Sequence, residues 1–460
     1  MGQKSRQPDR THGKITRRKF VKKAAAAVAI PQFLPRLSLA QSPNGKMNYA
    51  AIGVGGMGWA DITEIANTGK VNVVALCDID EVKLMEAAEK WPNARKYKDW
   101  RQLLDHERRH IDSISNSTPD HMHAPISITA MRLGKNVYCQ KPLAHNIYET
   151  RQLANTAQET GVVTQLGTQI HSWDCYRRTV LILRDLVIGK VKEVHTWAST
   201  PGFPTNQPRP PGKDPVPAEI DWDLWIGTAP MRPYKPEIYH PFHWRGWQDF
   251  GTAQVGDMGC HLLDPIFGGL RLATPFSARA EVSPNWQADP AIYQESWPDW
   301  LIVHYEFAGT DQTADSTLPY TWYDGGKKPP PELTQLLDGQ EWPGNGSIVV
   351  GEEGVLILPH CQEPQLFPKE KFADYHPPEF DGRNHYGQWV DACLGQSETT
   401  AHFGYGGMLT ETVLLGTVAM RYAGQQLDWD SASLKVTNVP SANQYLRRNY
   451  RDGWHVKGLG

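Results

Sequence analysis

Two separate stretches carry residues able to move a proton at an alcohol. Lys141 follows the strand-like run Asn136 to Cys139 and precedes Pro142, so its ammonium stands at a strand end. There it can hold a hydroxyl and favour its alkoxide-like state. Asp257 and His261 are four apart in Gly256-Asp257-Met258-Gly259-Cys260-His261-Leu262-Leu263-Asp264. On a helix they share one face, which brings a carboxylate and an imidazole to a single ligand. Histidine is the side chain that accepts an alcohol proton near neutral pH. Spacing alone also allows a surface lysine, an Asp257 that caps the helix and a His261 satisfied in the core.

A partner for such chemistry is written earlier in the chain. Gly53-Val54-Gly55-Gly56-Met57-Gly58 follows the apolar run Tyr49-Ala50-Ala51-Ile52 and precedes a helix-patterned stretch. This is G-x-G-x-x-G at a strand-to-helix turn. The first glycine permits the turn, the second admits a pyrophosphate, the third lets helix and strand pack, and the helix N-terminus faces the phosphates. The pattern predicts a dinucleotide cofactor. Asp78 ends the next strand-like run, Val71 to Cys77, where a carboxylate binds ribose hydroxyls and repels a 2′-phosphate. NAD is expected rather than NADP.

The elements that position these groups alternate. Strands are expected at Asn48 to Val54, Val71 to Asp78, Ile111 to Ser117, Asn136 to Cys139 and Val162 to Leu166. Helices are expected at Ala60 to Asn67, Glu81 to Trp91, Pro125 to Leu133 and Ile147 to Thr160. Residues 41–166 therefore read as an α/β Rossmann domain with a doubly wound parallel sheet. Ligands of such sheets bind beyond the carboxyl ends of the strands. That selects the loop Ser117-Thr118-Pro119-Asp120-His121-Met122-His123 and the loop Cys139-Gln140-Lys141-Pro142. Ser117, Pro119, His121, His123, Gln140 and Lys141 join the glycines, Met57 and Asp78 as expected cofactor contacts. His121 and His123, two apart with no further ligand pattern nearby, read as positioning groups rather than a metal site.

Residues 167–460 read as an α+β domain with a large, mostly antiparallel sheet. Its strands are expected at Val191 to Ser199, Phe276 to Val282, Trp300 to Phe307, Ser347 to Gly351 and Val355 to Leu358. Pro201 to Phe250 is a long insertion holding Trp222, Trp225, Tyr234, Tyr239, Trp244 and Trp247. These rings could stack on sugars, but packing the insertion down against the sheet explains them equally well.

The ends and composition bound the setting. Thr16-Arg17-Arg18-Lys19-Phe20-Val21-Lys22, an apolar stretch from Ala24 to Ile30 and the small-residue exit Ser38-Leu39-Ala40 read as a twin-arginine leader over residues 1–40. Export through that machinery to the periplasm is expected, with no membrane span in the mature chain. Charged residues make up 21% and the net charge is −3, which argues against a nucleic-acid partner. The six cysteines show no paired spacing and read as packed thiols.

With these residues assembled, the chain resembles the Gfo/Idh/MocA oxidoreductases over nearly all its mature length. The likeness rests on Gly53-x-Gly55-x-x-Gly58, Asp78, Thr118-Pro119-Asp120-His121-x-His123, Lys141-Pro142 and Asp257-x-x-x-His261. It implies that Lys141 binds the reacting hydroxyl, that His261 accepts its proton and that Asp257 orients substrate or histidine. It also implies that Trp244-Arg245 contacts the cofactor, that the Lys141-Pro142 bond is cis, and that the protein is a homo-oligomer. Members carry Glu-Lys-Pro where this chain has Gln140-Lys141-Pro142, which removes a possible carboxylate partner for the lysine. His171 has no firm counterpart and is a candidate pocket residue. The implied substrate is a sugar, cyclitol or glycoside.

An exported enzyme meets no freely diffusing NAD pool, so its cofactor must stay bound and be restored in place. A dehydrogenase that oxidises one sugar and reduces another meets this condition. So does a redox-neutral glycosidase that works by transient oxidation at C3 and elimination. A silent sugar-binding module is the reading from another class, and the intact Lys141, Asp257 and His261 argue against it.

Overall fold

The computed structural model describes residues 45–380, 382 and 384–460, and the twin-arginine leader read at residues 1–40 lies outside them. Six parallel strands, β1 (Met47–Ile52), β2 (Val71–Cys77), β3 (Arg95–Tyr97), β4 (Ser113–Asn116), β5 (Asn136–Gln140) and β6 (Thr164–Gly167), lie in the order β3-β2-β1-β4-β5-β6. The order reverses between β1 and β4, the switch point at which doubly wound sheets open a crevice. β1, β4 and β5 are buried along nearly their whole length because helices cover both faces. The short edge strand β3 and the helix Trp100–His106 after it escape a periodicity reading, since three residues of Arg-Lys-Tyr carry no apolar alternation.

The second sheet has nine strands: β7 (Val191–Trp197), β8 (Ser277–Val282), β9 (Leu301–Ala308), β10 (Thr317–Tyr323), β11 (Gly346–Gly351), β12 (Val355–Pro359), β13 (Gln365–Phe367), β14 (Gln426–Asp430) and β15 (Lys435–Val436). They run β13-β12-β11-β7-β10-β9-β8-β14-β15, antiparallel at every pairing except β7 with β10. In β9, Leu301, Val303, Tyr305 and Phe307 alternate inward and join the main core. The helix Phe403–Ala419 packs against that core and against the Ile147–Thr160 helix. It is buried nearly all round and holds four glycines, so it lacks the amphipathic stripe that reveals a helix in sequence.

The insertion departs from expectation. Trp222, Trp225, Tyr234, Tyr239, Trp244, Trp247 and Phe250 form their own buried cluster, with Trp222 and Trp225 stacked 4.7 Å apart. That cluster is seated on Ile79 and His121 of the first domain rather than on the second sheet. Its rings are spent on one another, which leaves none of these tryptophans as an open sugar platform. All six cysteines are free, and all but Cys361 are buried.

Four elements of the two domains meet at one buried carboxylate. Asp61, on the helix Met57–Asn67, accepts hydrogen bonds from Ser117 Oγ at 2.7 Å, from Gln140 Nε2 at 2.9 and 3.1 Å, and from Tyr386 Oη at 3.0 Å. Burial pushes its pKa up to about 6 against the pull of those donors. Gln140→Glu would set a second carboxyl where an amide now donates, so one of the pair must keep a proton in the folded state. The folded pKa then lies above the unfolded one, and the stability it contributes is present below the unfolded pKa and lost as pH rises through the folded value. Thermal melts should show a loss of about 1–3 kcal/mol at alkaline pH that shrinks toward about pH 5. A difference that does not vary with pH would overturn the pairing.

Candidate active site

Lys141 follows the last residue of β5 and takes partners different from those of Gln140, whose amide goes to Asp61. Its ammonium donates to Asp257 Oδ1 and to the Asp257 carbonyl, both at 2.7 Å. The lysine therefore has a carboxylate partner, supplied by the second domain, and the glutamine at 140 costs it nothing. An ammonium has three donors, and one remains for a ligand. The pair is largely enclosed, with the lysine side chain 14% and the aspartate 21% exposed. Arg245 Nε donates to the same Oδ1 at 3.1 Å. Burial alone would raise the Asp257 pKa, but the Lys141 and Arg245 charges outweigh it and hold the carboxyl well below the usual range.

Asp257 and His261 lie one turn apart on the helix Ala253–Leu262. The helix starts before Asp257, so the aspartate sits in its second turn and does not cap it. Thr252 precedes it and donates to Asp120 Oδ2 at 2.7 Å; burial pushes Asp120 up to about 7. His261 Nδ1 is 3.2 Å from Thr168 Oγ1, whose hydroxyl reaches the Cys260 carbonyl at 3.4 Å. With its one hydrogen directed to that carbonyl, Thr168 must accept from Nδ1–H. That assignment leaves Nε2 as the open acceptor, and it has no partner among the described residues. Burial first, and the Lys141 cation second, push the imidazole pKa well below its ordinary value. The ring is neutral at neutral pH and able to take a proton.

Other residues complete the crevice without a sequence signal. His360, just after β12, sets its ring 6.2 Å from that of His261, and its Nδ1 meets Tyr176 Oη at 3.0 Å. His171 does not point freely into the site: Nδ1 is 2.9 Å from both Asp264 carboxylate oxygens and Nε2 is 2.9 Å from Thr400 Oγ1. The two loop histidines hold backbone. His123 Nδ1 is 2.7 Å from the carbonyl of Pro142 and Nε2 is 2.8 Å from that of Thr118, which ties the two ligand loops together across the cis Lys141-Pro142 bond. His121 Nε2 is 3.1 Å from the Trp225 carbonyl, inside the aromatic cluster. Pro119 opens the turn Asp120–Met122. Trp244 is buried in the same cluster, while Arg245 stacks 4.3 Å over it and reaches Asp257. Among the described residues no group of three or more His, Cys, Asp or Glu side chains could hold a metal ion.

The glycine loop fits a dinucleotide. A Cβ on Gly58 would lie 2.0 Å from the Gly53 carbonyl, which enforces the close packing, while Gly56 at φ +54° faces open space. The helix Met57–Asn67 begins with no side-chain cap and no acidic residue in its first turn. The amides of Gly58 and Trp59 turn back to the carbonyls of Gly55 and Gly56, which leaves those of Gly56 and Met57 for an anion cradle. Asp78 shapes that cradle by accepting from the amides of Val54 at 2.8 Å, Gly55 at 3.3 Å and Asp80 at 3.0 Å. Its carboxylate keeps acceptor capacity for ribose hydroxyls.

Residues 47–168 match the family described as "Oxidoreductase family, NAD-binding Rossmann fold", and residues 209–308 match its C-terminal alpha/beta domain. A glycosyl hydrolase family 109 protein of Stenotrophomonas maltophilia is 31% identical over 184 residues, 38% of this chain and 39% of that protein. A levoglucosan dehydrogenase of Pseudarthrobacter phenanthrenivorans is 27% identical over 130 residues, 26% of this chain and 31% of the relative. The chain thus spans less than two fifths of the length of the curated relatives it matches. Among solved structures, the WlbA dehydrogenase of Bordetella pertussis, in complex with NADH and UDP-GlcNAcA, superposes with a TM-score of 0.60 at 15% identity, covering 84% of this chain and 99% of that one. The aldose-aldose oxidoreductase of Caulobacter crescentus gives 0.53 at 15% identity, covering 84% and 100%. At such identity the likeness is one of fold. Glycine cradle, strand-end lysine and the two matches lead to one conclusion: residues 47–168 and 209–308 match the NAD-binding and C-terminal domains of the Gfo/Idh/MocA oxidoreductase family.

Proposed function

We propose that the protein moves a hydride between a carbohydrate hydroxyl and a retained NAD. The observation that carries this reading is the crevice in which Asp257, which fixes Lys141, and His261, with Nε2 open, stand one helical turn apart. A bound nicotinamide would supply the hydride acceptor and, in the return direction, the donor. Lys141 holds the reacting oxygen with its third N–H and stabilises the negative charge that grows there. His261 Nε2 takes the hydroxyl proton as the carbon-bound hydrogen departs with its electron pair, and returns it in the reverse step. Asp257 keeps the ammonium aimed through its carboxylate and its carbonyl. Glycine loop, Met57, Ser117 and Asp78 line the cofactor side, and Asp78 favours NAD over NADP.

A sugar-like substrate is supported by relatives named for sugar and inositol oxidation, including an inositol 2-dehydrogenase of Salmonella paratyphi B. The match to a glycosyl hydrolase family 109 protein favours a second reading, the redox-neutral glycosidase. Export by the twin-arginine route, read from residues 1–40, would suit either, since both restore the cofactor in place.

Lys141→Met should abolish turnover while cofactor still copurifies, and full activity in that variant rejects the assignment. His261→Ala should lower kcat by roughly a hundred- to ten-thousand-fold. Because burial and the Lys141 cation hold the His261 pKa below the ordinary imidazole value, the acid limb of the pH profile of kcat/KM should lie below that ordinary value. The proton acceptor must be neutral, so activity is lost as pH drops through that pKa; a limb at or above the ordinary value counts against His261 as the base. Net NADH formation on a sugar panel would favour the dehydrogenase, whereas free sugar released from a glycoside without NADH build-up would favour the glycosidase.

A further inference from the structure

The insertion reaches the ribose end of the dinucleotide crevice by backbone as well as side chain. Asp80 and Ile220 form an antiparallel bridge, the Glu81 amide donates to the Glu219 carbonyl at 3.0 Å, and the Asp221 amide donates to the Ile79 carbonyl at 3.0 Å. Residues 219–221 thus zip onto the rim 79–81, immediately after Asp78. Later in the same insertion His240 returns to that rim and sets Nε2 3.2 Å from Asp80 Oδ2. Asp80 is itself locked, accepting from the amides of Val82 and Lys83 through Oδ1 and donating its own amide to Asp78 Oδ1 at 3.0 Å. The Trp225 ring meets the imidazole edge to face at 6.3 Å, which limits its freedom. His240 Nδ1 has no partner among the described residues, and its side chain is 16% exposed.

We propose that His240 is a cofactor-binding residue that meets the adenosine ribose hydroxyls beside Asp78, and that the insertion carrying it makes the dinucleotide slow to leave. With Nε2–H directed at Asp80, Nδ1 presents a lone pair to a ribose hydroxyl, while Asp78 accepts from the same diol. Departure of the adenosine half then requires parting residues 219–221 from 79–81 or turning the imidazole away. Rigid seating explains why a segment from the second domain is anchored so heavily on the first. This inference rests on the reading that the chain holds NAD, and it assigns the retention of that cofactor to named residues.

The test uses the full chain loaded with NAD⁺ and mixed with excess isotopically labelled NAD⁺, with exchange of bound cofactor followed by native mass spectrometry. His240→Ala should exchange at least tenfold faster than the parent, with an unchanged melting temperature for the cofactor-free protein. His240→Asn, which keeps a polar group at the site, should fall between the two. Asp80→Asn keeps the helix-capping oxygen but releases the imidazole, and should also speed exchange. If the parent protein retains cofactor and all three variants exchange at its rate, the assignment of His240 fails while the oxidoreductase reading stands. If the parent binds no NAD(H) at all, the oxidoreductase reading itself fails and takes this one with it.

Discussion

The ion pair between Lys141 and Asp257 is the contact on which the site turns. It joins the end of a parallel strand in one domain to the second turn of a helix in the other, and both partners are mostly shielded from water. A shielded charge left alone costs about 3–5 kcal/mol, so the two must face each other whenever the molecule is folded. From that one constraint follow the aim of the ammonium and the depressed pKa of Asp257, while burial first and the Lys141 cation second keep His261 neutral one turn later.

Around this pair, most of the polar residues that surround the crevice serve to fix backbone. His123 ties the Thr118 carbonyl to that of Pro142, and Arg448 donates to the His121 carbonyl at 2.7 Å and to Thr228 Oγ1 at 2.7 Å. Asp61 gathers Ser117, Gln140 and Tyr386 beneath the glycine loop. Burial works against a charge on His123, yet Cys139 and the two carbonyls raise its pKa above the ordinary imidazole value. Such groups hold the two ligand loops at fixed separation, the pre-organisation that a hydride donor and acceptor require. The family glutamate at position 140 would face Asp61 in this arrangement, so the amide found there removes a like-charge conflict rather than a lysine partner.

The parallel sheet was legible because β1 and β2 are apolar runs, the helical segments end near Gly69, Gly134 and Gly161, and the glycine loop announces its ligand by spacing alone. The α+β character of the second half was legible too, through inward-facing alternation in strands such as β9. Less visible were β10, whose Pro319 interrupts the strand pattern, and the Phe403–Ala419 helix, whose apolar and glycine positions surround it on all sides. The seat of the aromatic insertion was unreadable in the chain, because rings that pack on one another look the same in sequence whichever surface they finally cover.

The sequence by itself determined the chemical cast: a dinucleotide loop, an acidic ribose site, a lysine at a strand end, and a carboxylate and imidazole four residues apart. These depend on local geometry, where spacing of a few residues fixes which groups share a turn or a face. Tertiary structure alone decided the partnerships: that Asp257 serves Lys141, that Thr168 sets the His261 tautomer, that His360 and Tyr176 join the crevice, and that His171 is taken by Asp264. Each of these contacts joins residues tens to hundreds of positions apart, and their closeness is set by how two sheets and their helices exclude water together, which no short window of the chain encodes.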